Sequence, residues 1–473
     1  MLAVLPGRLI GLRPFPAIFT VIACATLACD VGEPALPGRA PEIVGDIVEY
    51  DPAHVLSATI RVQVRFGDSV AIRYRHQGSA LDGQSPAVRL DGDEAVLPLL
   101  GLMPESHYTL RLVAWGQGRS TEGQILQLDT GQLPPDLPHY TAGGTDPSPG
   151  FVAFAAGMYG LVIDNSGRVV WYHRFPGGPG LNFQPQPTGR YVARPNPVSA
   201  GQVVPWVEVD PLGTVTRTFD CAHGLAPRFH DMIAEPDGSY WIMCDEVRTM
   251  DLTLVGGRAD AAVMGTAVQH LGPSGLLFEW SPFDHFTITD LDLADRTGQT
   301  VNWTHGNAID LDGDGNLVVS FRSLSEITKI DTRTGNVLWR MGGRANQFSF
   351  ENGPTVFLRQ HGLRVTGSGR LMLLDNLGDP SGSRAERYEF DEVRKTVRLV
   401  GLYQSSPGVI AQLGGSTQQL PGGRMLVAYG NGNRVEEYDS AGNVVWRIYG
   451  SSGYIFRAQR ILSLYNPGLG LTR

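Results

Sequence analysis

From about residue 138 to the end of the chain, two short patterns alternate. The first is Asp, a Gly-containing turn and an alternating apolar run ending in Trp: "DNSGRVVW" from Asp164, "DTRTGNVLW" from Asp331 and "DSAGNVVW" from Asp439. "DPLGTVTR" from Asp210 and "GPSGLLFEW" from Gly272 are weaker copies. The second is a strand, a Gly turn and another apolar strand: "HDMIAEPDGSYWIM", "HGNAIDLDGDGNLVVS", "HGLRVTGSGRLMLL" and "GSTQQLPGGRMLVA". One copy of each makes a unit of four strands. Four-stranded units repeated at a fixed period are the sign of β-propeller blades, which bury their faces only against one another. Roughly 335 residues at about 40–60 per blade predict six blades, with seven as the fallback. No 3.6-residue apolar period is sustained anywhere, and Gly and Pro are spread along the chain as turn residues. The expected fold class is therefore all-β.

The chain has 473 residues, too many for one ordinary core, so two or three domains are expected. Residues 42–134 are rich in alternating strand patterns such as "ATIRVQVRF" and "YTLRLVAWG". The stretch "LLGLMPESHYTLRLVA" resembles fibronectin type III and related immunoglobulin-like domains, which implies one small β-sandwich ahead of the propeller at 138–473. "DTGQLPPDLP" reads as the linker between them, and 30–41 as a tether. Residues 1–29 read as a signal peptide: Arg8 and Arg13 precede a short apolar run that ends in two cysteines. "VIAC", ending at Cys24, and "TLAC", ending at Cys29, both resemble a bacterial lipobox. Either Cys24 or Cys29 is the expected lipidation site, the alternative being a plain cleaved leader or an uncleaved anchor. The body is expected to be exported, either periplasmic or held at the membrane by an N-terminal lipid.

Cys221 and Cys244 are the remaining cysteines. In an exported chain they predict a disulfide, with two buried thiols as the rival reading. The net charge is −9 without a Lys/Arg run, which argues against nucleic acid as a partner. "DLDGDGN", Asp310 to Asn316, invites a calcium-loop reading, but the twelfth position is Phe321 where an EF-hand needs an acid. A polar turn between strands is expected there.

His230, His305 and His361 share one register. Each opens the second pattern, eight, ten and eight residues ahead of Gly238, Gly315 and Gly369. The first strand of a blade borders the central channel, so equivalent positions on successive blades converge on one axis. Arg322 closes the strand after His305, and a hairpin returns the end of its second strand to the start of its first. Three imidazoles and a guanidinium are thus expected around a solvent-filled opening. Such a set suits a tetrahedral oxyanion, sulfuryl or phosphoryl. Three His side chains are also a metal-ligand set, against which the guanidinium argues by repelling a divalent cation.

The segments "HDM" at His230, "WTHGNAID" from Trp303, "SFRSLSEITKID" around Arg322, "GNVLWRMGG" from Gly335, "RQHGLR" around His361 and "GSTQQLPGGRMLVAYG" from Gly415 occur in an order that resembles the arylsulfotransferase family of exported, PAPS-independent bacterial enzymes. The resemblance covers about 138–473. It implies a six-bladed propeller with the site at its channel: His361 as the nucleophile that becomes sulfurylated, His230 as an acid/base, and His305 and Arg322 as binders of the sulfuryl oxygens. It also implies an aryl sulfate donor, a phenolic acceptor, ping-pong transfer, and neither metal nor cofactor. The family's nucleophile is usually followed by an acidic or polar residue, as in Gln-His-Asp; here Gly362 follows.

The chemistry is consistent with those groups. A phenol, pKa about 10, leaves sulfur without a strong acid, and a neutral imidazole, pKa about 6.5, attacks it. A covalent N–S intermediate divides one hard transfer into two. Arg322 presents a charged fork to the three oxygens. No P-loop or dinucleotide motif is present in the sequence. The alternative from another class is a surface lipoprotein whose propeller only binds or scaffolds, because such folds host both; a lyase or hydrolase on the same side chains is a third. No motif specifies the oligomeric state.

Overall fold

The computed structural model describes residues 38–78, 82–352, 356–449 and 453–471. The expected leader, with Cys24 and Cys29, and the tether up to residue 37 lie outside the described residues. Among the described residues there are strands and short 3-10 turns but no α-helix.

The N-terminal part forms two antiparallel sheets. One joins Glu42–Glu49, Ser57–Arg65 and Glu94–Leu100; the other joins Asp82–Gln84, Ser69–His76, His107–Gly116 and Arg119–Asp129, with Val88–Arg89 at its edge. Alternation does the sorting. In Ser57–Arg65, Ile60, Val62 and Val64 are buried while Arg61, Gln63 and Arg65 face solvent, so one face meets Ile72, Leu110 and Leu112 of the other sheet in a shared core. This part is tied to the rest: Val55 N donates to the Tyr172 hydroxyl at 3.1 Å and Leu100 N to that of Tyr465 at 3.2 Å.

From Phe151 onward the described strands form six sheets built on four consecutive antiparallel strands or their equivalent. Their first strands are Ala458–Ile461, Phe183–Pro185, Ala226–Ala234, Gly306–Leu311, His361–Gly367 and Ser416–Leu420. These six strands neighbour one another in that cyclic order. Between Phe183–Pro185 and Ala226–Ala234 the contact is carried by side chains: Asn182 Nδ2 donates to His230 O at 2.7 Å and Gln184 Nε2 to Met232 O at 3.2 Å. The arrangement is propeller-like. Strands from both ends of the region close the ring. Thr141–Gly144 adds the outer strand to the sheet of Ser416–Leu420, and Ala458–Ile461 supplies the inner strand beside Phe151–Ala156.

The first repeated pattern explains itself in the turns between third and fourth strands. The Asp carboxylate accepts backbone N–H groups two to four residues on: Asp164 from Ser166 and Arg168, Asp210 from Leu212 and Thr214, Asp439 from Ala441 and Asn443. Asp is the residue that closes such a turn with its own side chain. Trp171 and Trp446, which follow two of these turns, are buried on the fourth strand and couple neighbouring sheets. Trp171 Nε1 donates to Pro211 O at 2.8 Å, in the next sheet's Asp turn, and Trp446 Nε1 to Asn165 O at 2.9 Å, across the closure.

Cys221 and Cys244 are disulfide-bonded, as the sequence predicts. In the turn 312–316, Lys329 Nζ lies 2.8 Å from Asp312, 2.7 Å from Asp314 and 2.7 Å from Glu392. A lysine ammonium thus occupies the position a calcium reading would give to a metal.

Candidate active site

The three histidines and Arg322 gather at one end of the inner strands, with differences in detail from the register argument. His361 does begin its strand, His361–Gly367. His305 stands one residue ahead of Gly306–Leu311, and His230 lies inside Ala226–Ala234, in the stretch between the paired residues Pro227 and Met232 where pairing is interrupted. That interruption releases His230 from the ladder and lets it point to the axis. His305 Nε2 is 3.2 Å from His230 Nε2, and the rings meet edge to face at 4.8 Å. His361 joins them through Phe456, whose ring lies 5.8 Å from His230 and 6.1 Å from His361.

The expectation of a solvent-filled opening needs correcting. His230 and His361 are each only 2% exposed; His305 and Arg322 are half-buried and form the accessible part. Phe229, stacked on His230 at 4.2 Å, and Phe456 exclude the water. Burial accordingly holds all three imidazoles neutral. His230 and His305 titrate well below the usual histidine range, first from desolvation, then from Arg228 and one another's neighbours. His361 is pushed down to about 3 by desolvation, despite an opposing hydrogen bond to Asn376 Oδ1.

The backbone that carries these rings is locked. His305 has φ 48°, a left-handed conformation. Its carbonyl accepts from Arg322 N at 3.0 Å; Gly306 N donates to Thr266 Oγ1 at 2.9 Å, and Gly306 O accepts from Arg228 Nε at 2.9 Å. Asn307 Nδ2 donates to Gln360 O at 2.6 Å, just ahead of His361. Gly362 has φ 63°, and a Cβ there would lie 2.6 Å from Ser416 Cα. Backbone of the next sheet therefore excludes a side chain after His361, and the departure from Gln-His-Asp is a requirement of this chain's packing.

Arg322 lies beside His305, as the hairpin argument requires, but its side chain runs on to the neighbouring loop, where Nη2 donates to Gln412 O at 3.2 Å. Its Nε is buried without a partner, a donor available to an anion. His361 Nδ1 and Asn376 Oδ1 are 2.9 Å apart, and Gly414 N approaches His361 Nε2 at 3.4 Å. Beneath the histidines lies a buried ionic network. Arg457 donates from Nη1 to Gln184 at 2.7 Å and to Asp231 at 2.9 Å, and Arg364 reaches Asp231 at 3.1 Å.

A cavity of about 260 Å³ opens on the far side of that network, lined by Gln184, Asp231, Asp310, Arg364, Thr417 and Gln459 among others and by none of the three histidines or Arg322. Its carboxylates are already used by backbone N–H groups and arginines, Asp310 by Leu311 N and Val365 N. The candidate reactive groups are at the histidine end. Sequence reasoning missed Asn376, Phe456, Arg228 and Arg457 there. Of these only Asn376 carries a signal, its place at the end of the strand after His361, equivalent to that of Arg322 after His305.

Residues 221–451 match the family model described as arylsulfotransferase (ASST). The match spans every residue of the His/Arg set. No curated protein matches the chain. Similar solved structures include a protein of unknown function from Bacteroides caccae (13% identity, TM-score 0.41, covering 66% of this chain and 98% of that one). A streptogramin B lyase has 13% identity and a TM-score of 0.36, over 66% of this chain and 84% of that one. The calcium-binding protein regucalcin from Agrobacterium tumefaciens has 13% identity and a TM-score of 0.34, over 68% and 95%.

Proposed function

We propose, for a chain whose residues 221–451 match the arylsulfotransferase family model, that it moves a sulfuryl group from an aryl sulfate to a phenol through a sulfohistidine at His361. The observation that carries this reading is a buried neutral imidazole, His361, close to a guanidinium whose Nε has no partner. The Nε2 electron pair of His361 forms the N–S bond while the S–O bond to the aryl oxygen breaks and its pair leaves with the phenolate. Arg322 and His305 bind the sulfuryl oxygens, where charge accumulates. The phenolate leaves as the anion; His230, neutral, then takes the proton of the incoming phenol as that oxygen bonds to sulfur and the N–S pair returns to Nε2, and the proton passes on to solvent before the next cycle. The sealed setting favours transfer over hydrolysis by keeping water from the N–S bond.

In this reading the six cyclic sheets are the blades of a propeller over 138–473, and the two N-terminal sheets are an immunoglobulin-like sandwich over 42–134. The protein is exported and held by a lipid on Cys24 or Cys29; the Cys221–Cys244 disulfide fits an oxidising compartment.

The test is a donor assay with p-nitrophenyl sulfate and a phenol. The wild type releases nitrophenol in proportion to acceptor, and His361→Ala does not. A sulfated peptide spanning 359–364 is trapped when acceptor is withheld. Nitrophenol release that survives His361→Ala overturns the nucleophile assignment, and no release from any aryl sulfate overturns the activity.

A further inference from the structure

We infer that Asn376 is a positioning residue that sets the tautomer of His361, keeping the ring proton on Nδ1 and the Nε2 electron pair free for sulfur. The inference rests on the reading of His361 as the nucleophile, and deepens it.

An amide side chain has a donating and an accepting end, and its partners decide which is which. One end of the Asn376 amide lies 2.7 Å from Ala411 O and 2.9 Å from Gly414 O. Carbonyl oxygens only accept, so that end is the NH2 group. The other end, Oδ1, then faces His361 Nδ1 at 2.9 Å. An oxygen without a hydrogen can only accept, so Nδ1 carries the proton. His361 is neutral, and its remaining pair is therefore on Nε2. Gly414 N–H approaches that atom at 3.4 Å, a long contact that an incoming electrophile displaces at little cost. Asn376 is 1% exposed, so water does not compete for its amide. Ser383 holds it a second time: its hydroxyl donates to Asn376 O at 2.7 Å and accepts from Ala411 N at 2.8 Å. The loop 411–414, the amide and the ring thus form one hydrogen-bonded unit.

A neutral acceptor has a consequence that a carboxylate would not have. When Nε2 bonds to sulfur, the Nδ1 proton stays in place and the ring becomes an N-sulfo-imidazolium. Oδ1 orients that cation without neutralising it, so the N–S bond remains easy to break and the sulfuryl group passes on to the acceptor. A carboxylate at the same place would raise the basicity of the ring and stabilise the intermediate. The other charged or titratable groups facing His361 are Arg322, Arg457, His305 and His230, all of which oppose its protonation. The neighbouring Asp375 is turned away, to Leu358 N and Gly378 N.

The test is nitrogen-15 NMR of the full protein with labelled histidine, read without donor or acceptor. The expected spectrum shows His361 protonated at Nδ1 with a bare Nε2; a ring protonated at Nε2 overturns the inference. In Asn376→Asp the pKa of His361 rises by about one unit or more, and the sulfated enzyme turns over more slowly with acceptor. A His361 that titrates in this variant as in the wild type also overturns the inference. If the variant does not fold, the wild-type spectrum decides alone. A protein with the expected spectrum but inert toward every aryl sulfate would refute the sulfotransferase reading and leave the tautomer assignment standing.

Discussion

The Nε2 atoms of His230 and His305 face each other at 3.2 Å, so one proton at most lies between them and the two rings cannot both be charged. With His361 pushed down to about 3, and His173 of the strand Val169–Arg174 pushed down to about 4 by burial and the neighbouring His54, the folded protein carries these imidazoles neutral well below pH 6.5. The unfolded chain protonates the same residues near 6.5. Their contribution to stability is therefore complete above pH 6.5 and is lost as pH falls toward the depressed folded values. The midpoint of chemical denaturation is expected to be lower at pH 5 than at pH 7.5, and His173→Phe to flatten that slope. For the proposed transfer, the acid limb of kcat/KM is expected well below pH 6.5, because His361 stays unprotonated.

Arg322 has a buried Nε without a partner, while its Nη2 is held by Gln412 O. Arg322→Ala is expected to reduce kcat by about 10²–10³-fold, the usual effect of removing one donor from a developing anion. Arg322→Lys should recover little of it, because a point charge cannot replace a fork. Steady-state rates with p-nitrophenyl sulfate check both, and thermal melts of the two variants should match the wild type within a few degrees.

Gly362 sits at φ 63° with Ser416 Cα in the place of its missing Cβ. Gly362→Asp, which places an acid directly after His361, is expected to lose the proposed activity and to lose at least about 1–3 kcal/mol of stability from left-handed strain alone. Denaturant titration beside the donor assay measures the two losses together.

The disulfide closes a loop between positions 23 apart in sequence. Cys244 immediately precedes Asp245, which pairs with Arg228, the residue that clamps Gly306 O. The double variant Cys221→Ala, Cys244→Ala is expected to lose about 2–4 kcal/mol, read as a fall in denaturation midpoint. Wild type in strong reductant should fall to the same midpoint.

The sequence shows the all-β class and the His/Arg set because both are periodic. The Asp turn and the outer Trp repeat for a physical reason, since each turn is closed by its own carboxylate and each Trp of the pair 171 and 446 reaches the next sheet's turn. The hairpin rule that puts Arg322 beside His305 puts Asn376 beside His361 as well, so Asn376 was readable in principle. Phe456 and Arg457 were not. They precede a strand that pairs with residues some three hundred positions earlier, and no repeat announces them. The sealing of His230 and His361 was also hidden, because the residues that cover them come from different sheets.

The strand Ala458–Ile461 lies beside Phe151–Ala156, and Phe456 touches two of the three site histidines. Clipping the polypeptide ahead of Phe456 would open the ring of strands and uncover both of those imidazoles in one step.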